Sequence, residues 1–232
     1  MELHSLAHGK QKMKYTRKLS KFSSHELILN RLRGKGEVLD VGSSSGFLAS
    51  DIKSKDYCLT CIDIEETKNI SEDIDIYIKA DLEKYTDIQL KGDYDYIIMA
   101  DVIEHIRDSN GLVKYLGKYL RNKNSRIIVS VPNIAIWYYR LSLLFGEFNY
   151  TEKGTLDHTH VHFYTKKTII KLLKESGYEP VWIEYSNLPF EVVLSSKWPV
   201  LFLSILDTVY RYLTLIWPTM FSYQYIIEAK KI

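Results

Sequence analysis

Residues 37–46 read EVLDVGSSSG, an apolar run that ends in an aspartate and a glycine-containing turn. We expect a β-strand over residues 37–41, a tight loop, and a helix that begins near Phe47. Such a loop lets the backbone approach a ligand closely and directs helix N-terminal amides towards it. The glycines follow G-x-x-x-G spacing rather than the G-x-G-x-x-G of dinucleotide-binding loops. Asp40 stands at the mouth, where an acid repels a pyrophosphate but suits a cationic ligand.

Outward from this loop, the chain alternates short β-like runs with amphipathic helices, which predicts an α/β fold with a mainly parallel sheet. We expect one helix where apolar residues recur at helical spacing between residues 112 and 120. A second is predicted between the N-cap Thr165 and the stop Gly177. Seven strands are predicted, over residues 37–41, 57–62, 74–78, 94–100, 126–131, 180–186 and 222–229.

The composition describes one globular domain over residues 1–232, because 46% of the residues are hydrophobic and 26% are charged. The 31 basic residues balance 29 acidic ones, so nothing indicates DNA binding, which needs a clustered excess of Lys and Arg. The two cysteines, Cys58 and Cys61, lie three apart on a predicted strand and face opposite sides. We therefore predict two free thiols in a reducing, cytoplasmic compartment.

The N-terminal segment, residues 1–33, is predicted to be a basic helical arm. Its basic residues have no acid among them and are Lys10, Lys12, Lys14, Arg17, Lys18 and Lys21. We interpret them as a solvated helix face or, alternatively, as a patch for phosphate or anionic lipid, which would place the protein at a membrane periphery.

Residues 188–221 are predicted to be an apolar helical insertion before the last strand. Between residues 198 and 221 the only charges are Asp207 and Arg211, four apart as in a helical ion pair. The length would allow a membrane span, but the central charges and two flanking prolines oppose it. We favour a helix that packs on a membrane surface or on a partner, such as a second copy of the chain.

Acidic residues also end the next two predicted strands. Asp63 ends the second strand, where a carboxylate is placed to accept both ribose hydroxyls of an adenosine. After the third strand, Asp81 and Leu82 offer a carboxylate and an apolar surface for an adenine edge. Together with the glycine spacing, this order favours an adenosine-containing cationic ligand and excludes an NAD-dependent oxidoreductase.

Over residues 36–186 the chain resembles the class I S-adenosylmethionine-dependent methyltransferases, in particular the groups called type 11 and type 23. The resemblance is carried by VLDVGSSSG (38–46), CIDIE (61–65), KADLE (79–83), YDYIIMADVIEH (94–105) and IIVSVPN (127–133). It implies S-adenosylmethionine as cofactor and a Rossmann-like sheet of strand order 3-2-1-4-5-7-6, with the last strand antiparallel and helices on both faces. The cofactor-binding residues it implies are Asp40, Gly42, Ser43, Ser44, Gly46, Asp63, Ile64, Asp81, Leu82 and Asp101.

A methyltransferase that acts on a hydroxyl or an ammonium also needs a base, since the sulfonium methyl is already activated. One candidate cluster follows the fourth strand with D-x-x-E-H spacing and comprises Asp101, Glu104 and His105. The other comprises three alternating histidines that we expect in a loop or an extended stretch, all on one side: His158, His160 and His162. We predict that His160 and His105 are catalytic.

A divalent metal is the alternative role for these residues. Ubiquinone-pathway O-methyltransferases and small-RNA 3′-terminal 2′-O-methyltransferases carry a similar E-x-x-E-H, and in the RNA enzymes a later histidine completes a metal site. By this resemblance the ligands would be Asp101, Glu104, His105 and His160, with Asp101 one methylene shorter than the usual Glu. Without a metal, Glu104 and His105 would shape the cofactor pocket.

The predicted acceptor side is aromatic. Rings cluster after the fifth strand, as helix core or as a lid over the substrate: Trp137, Tyr138, Tyr139, Phe145, Phe148 and Tyr150. We predict substrate contacts by Trp137, Tyr138, His158 and His162. The expected reaction is O-methylation of a small-molecule, sugar or lipid-linked acceptor. The alternatives are an RNA 2′-O-methyltransferase, which the near-neutral charge disfavours, and a non-catalytic S-adenosylmethionine-binding protein.

Overall fold

A computed structural model describes residues 20–44, 46, 48–65, 72–194 and 198–232. Its centre is a seven-stranded sheet of order β3-β2-β1-β4-β5-β7-β6, as predicted. The strands are β1 Gly36–Val41, β2 Tyr57–Asp63, β3 Ile76–Lys79, β4 Tyr96–Ala100, β5 Arg126–Pro132, β6 Tyr178–Tyr185 and β7 Gln224–Lys231.

Strands β1 to β5 run parallel, whereas β7 lies antiparallel between β5 and β6. The parallel arrangement brings the carboxyl ends of β1, β2, β3 and β4 to one edge of the sheet, where open α/β sheets bind ligands. We call this edge the cofactor edge. Several predicted boundaries are shifted. β3 begins at Ile76 rather than at residue 74, and Tyr94 forms an isolated bridge with Leu120 instead of extending β4. β6 begins at Tyr178 rather than at residue 180, and β7 begins at Gln224 rather than at residue 222.

Helices cover both faces, as expected from strands that are apolar throughout. On one face α1 Ser24–Leu29 and α2 Ala49–Lys53 pack on alternate strand residues such as Val38 and Ile98. On the other face α3 Ser109–Leu116 and α5 Lys166–Glu175 pack on their neighbours, such as Leu39 and Ile97.

Local sequence signals set the ends of α5 as predicted. The Thr165 hydroxyl accepts the Thr168 amide while the Thr168 hydroxyl accepts the Thr165 amide, so both helix-start donors are satisfied. Gly177, at φ +89°, follows the helix and allows the chain to turn into β6. Another short helix, α4 Trp137–Leu144, follows β5.

The predicted insertion between β6 and β7 is helical. It contains α6 Phe190–Val193, α7 Val200–Ile216 and α8 Pro218–Phe221. It joins the domain through a separate apolar cluster of Ile136, Leu188 and Tyr210. Among the described residues no helix is long and apolar enough to cross a membrane.

The predicted ion pair between Asp207 and Arg211 is wrong. Asp207 accepts hydrogen bonds from Asn187 at 2.7 Å and from the Ser20 hydroxyl at 2.6 Å. Arg211 instead pairs with Glu184 at 2.7 Å. Both charges lie on the side of α7 that faces the domain, where partners off the helix satisfy them better than each other.

The N-terminal segment and the two cysteines were each given a predicted state by the sequence. Residues 1–19, with most of the predicted basic arm, lie outside the described residues. Residues 24–29 are helical but pack into the core through Ile28, so this part is no free arm. Cys58 and Cys61 are free thiols as predicted, and burial raises the pKa of Cys61.

Candidate active site

The loop after β1 is held in one conformation by β2 and by its own glycine. The amides of Gly42 and Ser43 both donate to the Ile62 carbonyl, at 2.8 and 3.2 Å. Gly42 has φ +70°, and a Cβ there would lie 2.6 Å from a methyl of Val102. Only glycine fits this turn, which places the following amides at the cofactor edge.

Asp63 closes the loop from the end of β2. Its Oδ2 accepts the Ser44 amide at 2.7 Å and its Oδ1 accepts the Glu65 amide at 3.0 Å. A carboxylate has about four acceptor positions. The positions left over are suited to the ribose hydroxyls assigned to Asp63 from the sequence, and the adjacent Ile64 is 58% exposed.

Asp40 lies beneath the loop and is buried. Burial, followed by the nearby charge of Asp63, raises the pKa of Asp40 from 3.8 to about 7. A carboxyl in this position gains a proton unless a cation faces it. This fits the sequence argument that the mouth of the loop selects a cationic group.

Asp81 and Leu82 follow β3, as predicted. The Asp81 Oδ1 accepts the Glu83 amide at 3.0 Å and so begins a 3-10 helix, Leu82–Asp87. Leu82 is half-buried against the core. The carboxylate of Asp81 and the side of Leu82 therefore lie at the third strand end of the cofactor edge.

Asp101 follows β4 with its backbone at φ +56°, a conformation that non-glycine residues rarely adopt. Its carboxylate accepts the Gln224 side-chain amide at 2.6 Å and the Ser130 hydroxyl at 2.8 Å. These bonds turn the carboxylate towards β5 and β7. Asp101 therefore lies outside the group formed by Glu104, His105 and His160, so the structure does not assemble the predicted four-ligand metal set.

Glu104, His105 and His160 come together, and we call them the histidine cluster. One ligand atom from each lies within 4.8 Å of the others, and the two imidazole rings are 4.6 Å apart. The contact is fixed by the backbone, because the amides of Val161 and His162 both donate to the Glu104 carbonyl at 2.9 and 3.0 Å.

The hydrogen bonds of the cluster define the tautomer of each histidine. His160 Nδ1 lies 2.9 Å from the Thr155 carbonyl, so it carries a hydrogen. His105 Nδ1 lies 3.0 Å from the Thr159 hydroxyl. Because this hydroxyl donates its own hydrogen to Asp157, it accepts the hydrogen bond from His105, and Nδ1 therefore carries a hydrogen. Both Nε2 atoms consequently keep a lone pair. Burial and the nearby His160 lower the pKa of His105, which favours its neutral form.

Glu104 is 1% exposed, and neither of its carboxylate oxygens has a hydrogen-bond partner among the described residues. Burial, followed by the charge of Asp101, raises its pKa well above the usual range. A buried carboxyl without partners is costly unless a ligand or ion completes its bonding. The Nε2 atoms of two histidines and one such carboxyl are a donor set that fits a divalent transition metal.

The histidines stand in a loop, one of the two forms predicted, but the expectation that all three lie on one side is wrong. The chain turns between residues 154 and 160, with the His160 amide donating to the Asp157 carbonyl at 3.0 Å. His158 contacts the Thr151 carbonyl at 3.0 Å and His162 the Arg107 carbonyl at 3.0 Å. Each ring therefore has a different neighbour, and only His160 reaches His105.

Aromatic rings also lie beside His160. Phe163 lies 6.3 Å from the His160 ring and is packed by Phe148 and Tyr150, both substantially exposed. Tyr138 is largely covered, and burial raises the pKa of its hydroxyl, whereas Trp137 is 40% exposed. Phe148 and Tyr150 thus form a wall beside the cluster, as the lid interpretation requires.

Several participants carried no recognisable signal in the sequence. Gln224 and Ser130 orient Asp101, and the carbonyl of Thr155 and the hydroxyl of Thr159 set the histidine tautomers. Their partners are distant in sequence or use backbone atoms, so no motif marks them. Phe163 directly follows His162 and could have been identified by that position.

The sequence pattern of the methyltransferase domain family matches residues 10–182. This chain belongs to that family. The assignment to class I S-adenosylmethionine-dependent methyltransferases and the predicted Rossmann-like sheet are thereby confirmed.

Known methyltransferases are similar to the chain over most of its length. The ubiquinone biosynthesis O-methyltransferase of Rickettsia akari is 26% identical over 171 residues, covering 69% of this chain and 64% of that protein. A structure of an S-adenosylmethionine-dependent methyltransferase from Mesorhizobium loti has a TM-score of 0.59 at 15% identity and covers 90% of this chain and 98% of its own.

A second solved structure contains ligands. The 1,6-didemethyltoxoflavin-N1-methyltransferase of Burkholderia thailandensis, with bound substrate and S-adenosylhomocysteine, has a TM-score of 0.57 at 12% identity and covers 90% of this chain and 76% of its own. At this identity the likeness concerns the fold. The acids at the ends of β1 to β4 lie at the edge where open α/β sheets in general bind ligands.

Proposed function

We propose that this methyltransferase transfers the methyl group of S-adenosylmethionine to a hydroxyl oxygen of a small-molecule acceptor. The observation that carries the proposal is the histidine cluster, which places His160 Nε2 with a free lone pair beside the cofactor edge. A nitrogen nucleophile that is already neutral needs no such base, whereas a hydroxyl does.

In the proposed reaction the acceptor oxygen attacks the sulfonium methyl carbon in line with the carbon–sulfur bond. The bond breaks with its electrons on sulfur, which leaves S-adenosylhomocysteine, and the hydroxyl proton passes to His160 Nε2. The Thr155 carbonyl, 2.9 Å from Nδ1, stabilises the imidazolium that forms. Asp63 and Asp81 hold the adenosine part, and Asp40 faces the cationic amino-acid part.

As an alternative to the base mechanism, a divalent metal fits the same cluster, with Glu104, His105 and His160 as its protein ligands, and His160 Nε2 would then bind the ion instead of accepting the proton. When bound, such an ion lowers the pKa of a coordinated acceptor hydroxyl and orients it. Asp101 takes no part, because Gln224 and Ser130 hold its carboxylate.

Two features support a small, planar acceptor. The wall beside His160 consists of Phe148, Tyr150 and Phe163, and aromatic faces favour flat apolar groups. The relative from Rickettsia akari is named as an O-methyltransferase of ubiquinone biosynthesis. Phenols and catechols are therefore the first acceptors to test.

The first test is binding of S-adenosylhomocysteine, measured by calorimetry. We expect binding by the wild type and at least a tenfold loss in Asp63→Ala, because the carboxylate supplies charge-assisted hydrogen bonds to the ribose. A wild-type protein that does not bind S-adenosylhomocysteine would reject the proposed function.

The second test follows methyl transfer to phenol and catechol acceptors by mass spectrometry. His160→Gln should lower kcat by about 100-fold or more, the usual contribution of a general base. The comparison variant is His158→Gln on the same loop, which should change KM at most, since His158 does not reach the cluster. An unchanged kcat in His160→Gln would refute the catalytic role of His160. If the protein contains no metal by elemental analysis and its activity is unaffected by EDTA, the metal role of the cluster is rejected.

A further inference from the structure

Helix α7 presents its apolar side to solvent. Six apolar residues of the helix are at least half exposed, whereas no exposed residue of the helix is charged. They are Leu201, Ile205, Val209, Tyr212, Leu215 and Ile216. A face of this kind is rare on a protein that has only water around it.

The charges of α7 lie on the opposite side and hold the helix in this orientation. Asp207 accepts hydrogen bonds from Asn187 and Ser20 at 2.7 and 2.6 Å. Arg211 donates to Glu184 at 2.7 Å and lies over the Phe22 ring at 4.9 Å. Rolling the apolar side inwards would break all of these contacts, so the exposure is built into the fold.

Aromatic residues flank the exposed face. Trp198 and Trp217, beyond the two ends of α7, are 48% and 52% exposed. Tryptophan is enriched where an apolar phase meets water, because its ring is apolar and its N–H is polar. The neighbouring α4 ends in Leu144 and Phe145, which are 78% and 74% exposed.

A basic stretch of sequence directly precedes Ser20, the residue that binds this helix. Six Lys and Arg residues with no acid among them occur between residues 10 and 21, and the described chain begins at Ser20. The Ser20 hydroxyl donates to Asp207, in the middle of α7.

We propose that α7 docks this protein on an anionic membrane surface, with the helix in the plane of the interface. The apolar face enters the acyl boundary, and the positive charge of the sequence directly before Ser20 favours anionic over neutral lipid. A second copy of the chain would cover the apolar face but would bring another basic segment to the first, so charge complementarity favours lipid.

The domain-facing side of α7, opposite the docking surface, packs towards the acceptor side. Tyr210 of α7 packs in one cluster with Ile136 and Tyr138 at the start of α4. Tyr138 in turn lies beside Thr155, whose carbonyl holds His160.

The test is flotation of the full chain with vesicles of phosphatidylcholine alone or with 30% phosphatidylglycerol. We expect binding to the anionic vesicles and at least a tenfold loss in the double variant Ile205→Glu and Val209→Glu, which places charge in the acyl boundary. The matched control is Ile76→Glu. Ile76 is similarly exposed, at 51%, but lies on β3, the outermost strand on the side of the sheet away from β6. This variant should float as the wild type does.

Charge is tested separately by the triple variant Lys14→Gln, Arg17→Gln and Lys18→Gln. At roughly fivefold per neutralised cation near an anionic surface, affinity should fall about 100-fold, and 0.5 M salt should have a similar effect on the wild type. Binding of S-adenosylhomocysteine checks that each variant is folded and does not depend on the acceptor. The proposal is overturned if the wild type stays unbound, or if Ile205→Glu and Val209→Glu only dissociate a dimer in light scattering.

Discussion

At the cofactor edge, single residues are held in states that they would not adopt alone. Asp101 and Ser44 have φ of +56° and +52°, and Asp40 is buried as a carboxyl group. Each positive φ costs roughly 1–3 kcal/mol and persists only where the surroundings determine it. For Asp101 the surroundings are Ser130 and Gln224, which bind its amide or its carboxylate.

The raised pKa of Asp40 makes stability depend on pH. The native state keeps a proton that the unfolded chain releases between pH 3.8 and about 7, so the free energy of unfolding falls as pH rises through this window. The change from 3.8 to about 7 corresponds to ~4 kcal/mol at most. We expect Asp40→Asn to flatten this dependence in urea unfolding from pH 4 to pH 8.

The wild type and Asp40→Asn share every other titrating group, including Glu104. The difference between their two pH profiles therefore isolates Asp40. Parallel profiles would mean that Asp40 has an ordinary pKa and is ionised in the free protein. The variant Asp40→Asn should also bind S-adenosylhomocysteine more weakly, because the uncharged side-chain amide does not attract the ammonium group of this ligand.

Among the elements, α7 is stabilised differently from the sheet. Its apolar face is exposed, so burial contributes little, and its attachment depends on Tyr210, Thr214 and the two inward charges. Arg211 is 12% exposed and binds both Glu184 and the Tyr185 carbonyl of β6. The helix is thus joined to β6 by polar contacts, in addition to the apolar cluster around Tyr210.

Removing Arg211 should therefore loosen α7 without melting the sheet. In Arg211→Ala we expect hydrogen exchange of residues 200–216 to correspond to a local opening free energy lower by roughly 2–4 kcal/mol, since Glu184 loses its partner. The comparison is Lys171→Ala, which breaks the exposed Lys171–Glu175 pair within α5 and should change nothing measurable. Uniform loss of protection, in β1 as well as in α7, would contradict this account.

At the scale of the whole molecule, the last strand completes the cofactor edge. β7 inserts between β5 and β6, and its first residue, Gln224, binds the carboxylate of Asp101 123 positions earlier. The binding edge made by β1 to β4 is therefore finished only when the C-terminus has joined the sheet.

Replacing Gln224 with Leu should affect both stability and cofactor binding. Asp101 would lose a hydrogen bond to a charged group, which costs about 1.5–3 kcal/mol in urea unfolding. Affinity for S-adenosylhomocysteine should fall about tenfold, because Asp101 is no longer oriented. Lys230→Met, also on β7, removes only the exposed Lys230–Glu179 pair and should leave both unchanged. If Gln224→Leu binds S-adenosylhomocysteine as tightly as the wild type, the orientation of Asp101 does not contribute to cofactor binding.

The sequence by itself determined the sheet and three of its strand-end acids. Apolar periodicity, the glycine loop, and Asp40, Asp63 and Asp81 are local signals, because each depends on neighbours within a few positions. The order of the strands followed from the resemblance that these motifs carry, and the ends of α5 followed from Thr165 and Gly177.

Only the tertiary structure decided how distant polar groups pair. It separated Asp101 from the histidine cluster, directed Asp207 and Arg211 to partners off their helix, and selected His160 from three alternating histidines. Spacing along a chain gives the face of an element on which a side chain stands. A polar side chain then binds whichever donor or acceptor the fold brings within about 3 Å, and that atom can belong to any part of the chain.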